Sequence, residues 1–576
     1  METKLSVADE VRLTQRWFHR LRMRFIAPRA ETLVYGFVVV LLAFLALYPL
    51  AFIINEVLIG PHSVGTVIRT LVSSPAFREA LVNSLTVATV VTIVCVLVGV
   101  PAAWFVTVTD MPGRGLFRSL FLLCYMTPSF IFATAYVILL GRAGVLNKFL
   151  VNTFALSEPP FTIFSMGGLI LVVSLFCFPF VFLSTSAALE GLDPTFAEAA
   201  RISGGSPLTT IRHVTLPLVT PAIKAGAILS FVQSITLFGA PIYLGVPARI
   251  PILTTEIYKY MATYPSRFDL AAAISVVLMG LSLIPLVLQN LTRGEARRFV
   301  TIAGRSAGTR LLPLGKARPL ALAFCLSLAA ISVFLPYGII LLTALRKHWT
   351  DPISLENLTL EHFAWVLSDR LTVRGIGNSF LLGGVSAAII VLLSLFAAYA
   401  VLRARGVIRL ATDFLSLIPL AIPGTTLAVG LVLAYIRPPL RLYGTVWLFL
   451  IAYVTHFMPL AVRVLEGSLV QLDPVLEEAA RMAGASWVRG FRSIVAPLLK
   501  PAMAAAFILV FIPAMKEFTI GILIYRMPWV TMSIALYEIY TAGQYERVTA
   551  LATVFMILVL AVFALAQRFL RRPLVA

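Results

Sequence analysis

The chain has 576 residues, 60% of them hydrophobic and only 12% charged, with a formal net charge of +20. At a mean hydropathy of +0.95 it lacks the polar surface of a water-soluble domain. Its basic excess clusters between apolar runs and at their ends, a pattern of membrane topology that argues against nucleic-acid binding. The class read from this is an all-α polytopic membrane protein.

Residues 1–32 form a basic N-terminal segment, with Arg12, Arg16, Arg20, Arg22, Arg24 and Arg29 ahead of the first apolar run, so no cleavable signal peptide is expected. Apolar runs of about 20 residues suffice, at 1.5 Å per residue, to cross roughly 30 Å of hydrocarbon. They predict helices near 33–54, 83–107, 117–140, 165–186, 221–245 and 270–290 in a first domain, 33–290. A basic linker, 291–317, holds Arg293, Arg297, Arg298, Arg305, Arg310 and Lys316. Helices near 318–344, 379–402, 411–436, 443–464, 501–525 and 547–568 then fill a second domain, 318–570, and Arg568, Arg571 and Arg572 follow.

With about twelve spans, the basic segments fall on one side, together with short loops carrying Arg114 and Arg118 or Arg403, Arg405 and Arg409. The positive-inside rule makes that side the cytoplasm and sets both termini there, with some attraction to anionic membrane lipid. Pro128, and then Pro419 and Pro423, are expected to bend the third span of each half. An even number of spans per half makes the repeats parallel, related by an axis along the membrane normal.

The halves repeat in detail. Leu192–Gly204 reads LDPTFAEAARISG, and Leu472–Gly484 reads LDPVLEEAARMAG. Asp193 and Asp473, Glu198 and Glu478, Gly204 and Gly484, Pro217 and Pro497, and Pro221 and Pro501 are each 280 positions apart (473 − 193 and so on). Asn83-Ser84 and Asn378-Ser379 begin corresponding helices at an offset of 295, so about 15 residues are inserted in one half. Packing in lipid does not require a polar repeat, so something outside the bilayer is expected to read it.

Within each copy, local chemistry predicts a helix-turn-helix in the loops 189–217 and 469–497. Asp193 and Asp473 cap, with Pro194 and Pro474 in the first helical position. Glu198 with Arg201, and Glu478 with Arg481, are i,i+3 neighbours able to pair. Gly204 and Gly484 stop the helices through a left-handed conformation. Ser206-Pro207 and Ser486-Trp487 restart the chain, and Pro217 and Pro497 are expected to end it before the next span.

The pattern E-A-A-x-x-x-G-x9-[IV]-x-x-P stands here twice. Its first copy is Glu198, Ala199, Ala200, Gly204, Val214 and Pro217, and its second is Glu478, Ala479, Ala480, Gly484, Ile494 and Pro497. It resembles the loop of importer-type ABC transporter permeases, and Ala496 departs from the leucine found in the first copy at Leu216. The resemblance implies the type I importer permease fold. It makes each loop, including Arg201 and Arg481, a coupling helix for one of two cytoplasmic ATPase copies, which bind ATP and magnesium. The chain has no G-x-x-x-x-G-K-[ST] run of its own, so it reads as a non-catalytic conducting subunit without a cofactor. An extracytoplasmic substrate-binding protein delivers cargo in such systems, and the implied location is the bacterial inner membrane.

Thr255-Glu256-Ile257-Tyr258 and Lys516-Glu517-Phe518 resemble the ferric-iron import permeases, although Phe518-Thr519 replaces leucine-proline. Permeases for 2-aminoethylphosphonate and thiamine share this layout and stand as alternatives. Lys516 and Glu517 lie about 15 residues into the predicted eleventh helix, on the order of 23 Å from its start. Charges at such depth face a cavity or a partner, so they line the translocation path, form a structural ion pair, or mark an early helix end. His456, Cys95, Cys124, Cys177 and Cys325 lie inside predicted spans without ligand spacing, and no metal site is expected. The rival from another class is an ion-coupled secondary transporter, which would place matched acids in both halves. Glu517 has no such twin, and the position 280 before Lys516 is Thr236.

Overall fold

The computed structural model describes residues 30–60, 62–204, 206–296, 311–351 and 354–570. The arginines before residue 30, most of the linker (297–310), Arg571 and Arg572 lie outside the described residues, as do the side chains of Glu198 and Arg201. Among the described residues ten helices are long and apolar enough to cross a membrane, and two bent helix pairs raise the number to twelve.

The first helix of each half is laid on the other half. Ala30–Ile59 packs on Gly406–Ala421 and Gly424–Tyr435, and Leu335–Ala344 packs on Ser129–Leu140. Within each half the second and fourth helices form the main contact: Pro75–Val108 with Met166–Glu190, and Arg370–Arg403 with Val446–Leu469. Lipid offers no hydrophobic drive for such contacts, so close van der Waals approach holds them. A Cβ on Gly430 would stand 2.7 Å from the Pro49 carbonyl oxygen, so only glycine lets the exchanged first helix come so near.

The repeat is visible in the element bounds. Pro75–Val108 and Arg370–Arg403, both 34 residues long, start 295 positions apart, as do Ser129–Leu140 and Gly424–Tyr435. Met166–Glu190 and Val446–Leu469 start 280 apart (446 − 166). The inserted residues therefore lie between these helices, where only the first half carries the extra helix Val145–Phe154.

The third spans break at Thr127-Pro128 and Ile422-Pro423 as expected, and the second pair is bent by 107°. The fifth spans differ from the predicted 221–245 and 501–525. Their helices stop at Thr236 and Met515, where Leu237 turns extended and Lys516 leaves the helix.

Pro217 and Pro497 do not end the segment either. Five-residue π turns, Ile211–Thr215 and Phe491–Val495, precede them, and the chain runs on into Leu216–Thr236 and, through a 67° bend, into Lys500–Met515. Leu216 N–H bonds the carbonyl of Ile211, and Ala496 N–H that of Phe491. This wider turn carries the helix past a ring that has no N–H to offer.

Candidate functional site

Each repeated segment is a short helix closed by a left-handed glycine. The Asp193 carboxylate accepts from Thr195 N–H at 2.9 Å, and the Asp473 carboxylate from Val475 N–H at 2.9 Å. The helices Pro194–Ile202 and Val475–Met482 follow, and φ is +83° at Gly204 and +81° at Gly484. Ser206 and Ser486 then accept from Thr209 and Arg489 N–H groups, restarting the chain. Caps, glycines and restarts stand where the sequence places them.

The second ion pair does not, and the side chains of Glu198 and Arg201 lie outside the described residues. Arg481 reaches Glu31 of the first helix at 3.5 Å, and Glu478 is exposed. The carboxylate that anchors the second segment is its neighbour Glu477, which accepts from Tyr399 and, at 3.1 Å, from Arg403 at the end of Arg370–Arg403. Trp487 donates to Tyr399 at 3.2 Å, and the rings of Tyr35, Tyr399, Trp487 and Phe491 interlock around them. The repeat explains why a reading by matched residues misses this latch. The first-half equivalents of Tyr399, Arg403, Glu477 and Trp487 are Trp104, Val108, Ala197 and Pro207. A mismatch between otherwise parallel copies was the signal available.

The outer faces of the two segments match. Ile202 and Met482, 280 apart, are 88% and 89% exposed, and Phe196 and Leu476 are exposed at the same offset. Ala199 and Ala479 are exposed, Ala200 and Ala480 half-buried, Pro217 and Pro497 exposed, and nothing stands within 4 Å of a Cβ built on Gly204 or Gly484. Apolar side chains thus stand at matched exposed positions, each on a short helix tied to a membrane helix.

Glu31, Arg403 and Arg481 lie on this face, and Leu314 N–H bonds the Asp110 carboxylate at 2.9 Å beside the end of Pro75–Val108. The opposite face carries the starts of those second helices and two straps. Asn83 donates to the Pro251 carbonyl at 3.1 Å, and Ser84 accepts from Leu253 N–H at 2.9 Å. Asn378 donates to Val530 at 2.8 Å, and Ser379 accepts from Met532 N–H at 2.8 Å. The repeated Asn-Ser pairs thus hold the backbone just after the fifth-span breaks.

Those breaks meet at the centre of the molecule. Phe238 and Phe518, 280 apart, are both buried, with ring centroids 5.6 Å apart. Phe518 also meets Phe130 at 5.2 Å and Tyr537 at 5.6 Å, and Tyr243 meets Tyr540 at 4.3 Å. Equivalent residues that touch lie on the axis relating the halves, so this aromatic layer closes the space between them.

Lys516 and Glu517 sit beside the layer and bond to backbone. Lys516 Nζ donates to the carbonyls of Tyr125 and Met126 at 2.9 and 3.4 Å, at the C-terminal end of Arg114–Met126 in the other half. Glu517 accepts from the N–H groups of Ile520 and Gly521 at 2.9 and 3.1 Å, starting the turn Gly521–Ile524. Each charge serves a helix end of opposite partial charge. His456 is enclosed in its helix, with Nδ1 unbonded and its ring against Phe457.

Residues 95–293 and 390–574 each match the family described as binding-protein-dependent transport system inner membrane component. A putative ferric transport system permease protein of Haemophilus influenzae is 26% identical over 87% of this chain and 78% of its own. A probable ABC transporter permease protein of Sinorhizobium fredii is 27% identical over 88% of this chain and 90% of its own. A putative 2-aminoethylphosphonate transport system permease protein of Salmonella typhimurium is 31% identical over 42% of this chain and 85% of its own.

Proposed function

The chain belongs to the binding-protein-dependent transport system inner membrane components, and on that footing we propose that it is the two-domain permease of an ATP-driven importer of ferric iron. The observation that carries the coupling half of this reading is the matched exposure of Ile202 and Met482 on segments joined to helices that break at the axial aromatic layer. One cytoplasmic ATPase docks on each segment and binds ATP and magnesium. Closure of the pair draws the segments together, and the two halves rock about the axis so that the layer opens on one side at a time. Rigid transmission is supported by the unbroken run from Ile211 into Leu216–Thr236 and by the Glu477 latch in the second half.

An extracytoplasmic binding protein delivers the cargo to the face bearing the Asn-Ser straps, and both termini lie on the segment face. Ferric iron is favoured by relatives named as ferric permeases that match across both halves. The phosphonate reading draws on a higher identity confined to 42% of the chain. The family match sets aside the ion-coupled carrier.

The test is uptake of labelled ferric iron by cells that supply the ATPase and binding protein, with and without this chain. Uptake should depend on the chain and fall to background in Ile202→Glu with Met482→Glu. These exposed changes leave insertion intact. Uptake unaffected by the pair would remove the segments as docking sites. An assembled complex that imports no iron would pass the cargo assignment to 2-aminoethylphosphonate.

A further inference from the structure

Each third span breaks beside a proline, and the helix before the break ends in carbonyls without a partner in their own helix. At the first break Thr127 N–H takes the Leu123 carbonyl and Pro128 has no N–H to give. The carbonyls of Tyr125 and Met126 are met instead by Lys516 Nζ, at 2.9 and 3.4 Å, and the ammonium lies 5.2 Å from the centre of the Tyr125 ring. At the second break the carbonyl equivalent to that of Met126 belongs to Ala421 (421 − 126 = 295), and Ser282 Oγ reaches it at 3.2 Å. Both donors come from the opposite half, Lys516 from the second and Ser282 from the first.

The two closures differ in strength. Ser282 has one proton, and the Met279 carbonyl of its own helix competes for it at 2.9 Å. Lys516 brings a full charge to a helix C-terminus, where a cation is favoured and charge-assisted bonds are the stronger kind. The first half has no copy of it: the residue 280 before is Thr236, whose hydroxyl bonds the Val232 carbonyl of its own helix at 2.7 Å. Lys516 also stands two residues before Phe518, and Met126 four residues before Phe130, whose rings meet at 5.2 Å in the axial layer. A movement that parts those rings pulls the ammonium from its carbonyls.

We propose that Lys516 is the clasp of the shut path, a positioning residue that ties the fifth-span break of the second half to the third-span break of the first and lets go when the layer opens. The inference rests on the rocking of the halves proposed above and adds the residue that sets its resting position. A lysine suits the task, because its stem is flexible and its ammonium strongly hydrated. Water entering the opened layer takes the place of the carbonyls on the ammonium, so release is reversible.

Spin labels on Ala262→Cys and Thr541→Cys, exposed and equivalent positions at the ends of Leu253–Ala262 and Met532–Thr541 (541 − 262 = 279), report the separation of the halves. The four native cysteines are buried. Distances are read by electron–electron double resonance on the full-length chain in lipid nanodiscs without nucleotide. The labelled parent should give one dominant distance. Lys516→Met, which keeps the stem and loses the donor, should raise the population of a second distance about tenfold, the effect of losing one bond to a charged group. Lys516→Arg should restore the parent distribution, and Lys516→Gln supplies the comparison where the methionine variant fails to fold. Lower thermal stability with an unchanged distance distribution overturns the clasp and leaves Lys516 a structural donor. Rocking itself is read separately, as the shift in the labelled parent when the ATPase and a non-hydrolysable ATP analogue are added, so its failure is distinguishable from that of the clasp.

Discussion

Gly239 and Thr519 hold the same position in the two repeats, and the difference in their size is compensated by the residues they face. A Cβ on Gly239 would stand 2.5 Å from Ser129 Oγ, whereas a Cβ on Gly424, the equivalent of Ser129, would stand 3.3 Å from Thr519 Cγ2. One half pairs glycine with serine, the other threonine with glycine, at the point where each fifth span breaks against the third. The contact is conserved in volume and exchanged in chain.

Gly239→Thr should therefore overfill its site and cost about 1–3 kcal/mol, the range for extra atoms in a packed interior. Adding Ser129→Gly should recover most of that loss, because the pair then copies the second half. Thermal denaturation of the purified protein in detergent reads the cycle. Additive penalties would show that the two residues do not share one space.

Phe518 touches Phe130, Phe238, Tyr243 and Tyr537, so Phe518→Ala removes the centre of the axial layer. Truncating a buried phenylalanine costs about 3–5 kcal/mol, and here that loss falls on the closed arrangement. Proteoliposomes carrying the variant should leak a small ionic dye without nucleotide, while Phe518→Leu should stay tighter. A variant as tight as the unsubstituted protein would place the seal elsewhere.

What the sequence made legible was local or repeated. Asp193, Gly204 and their partners 280 positions on could be placed because capping and a left-handed glycine depend on a few neighbouring residues. The breaks at Pro128 and Pro423 followed from a missing N–H. Pro217 and Pro497 misled for a related reason, since a π turn bypasses the same defect and periodicity does not announce it. Long-range pairing was not legible: Arg481 chose Glu31, some 450 residues away in the chain (481 − 31), over Glu478 one turn away. Phe238 and Phe518 carried a usable signal, because matched aromatics beside Thr236 and Lys516 are what a residue pair on the axis requires.

The second repeated segment should depend on its latch. Glu477 and Arg403 are both largely buried side chains, and a hydrogen bond to a charged group is worth about 1.5–3 kcal/mol. Glu477→Ala strips the bonds from Tyr399 and Arg403 and leaves the guanidinium without that partner. Iron uptake should fall several-fold with insertion unchanged, whereas Glu478→Ala, an exposed position, should alter the body of the protein little. Equal effects of the two changes on protease protection of the segment would remove the latch.

Gly204 and Gly484 offer the sharpest comparison of the two halves. Both have φ near +80° and open space around them, so Gly→Ala at either adds backbone strain of about 1–2 kcal/mol without a steric clash. That cost is confined to the end of one short helix and leaves the membrane helices intact. The first segment has Val108, Ala197 and Pro207 where the second has Arg403, Glu477 and Trp487, residue types that cannot form the charged and indole hydrogen bonds of the latch. Gly204→Ala should therefore loosen its segment more than Gly484→Ala does. Amide hydrogen exchange over 194–210 and 474–490 reads this directly, and nucleotide-driven uptake should fall in the same order. The reverse order would mean that the segment without the latch is held by the ATPase it meets, and that docking supplies its rigidity.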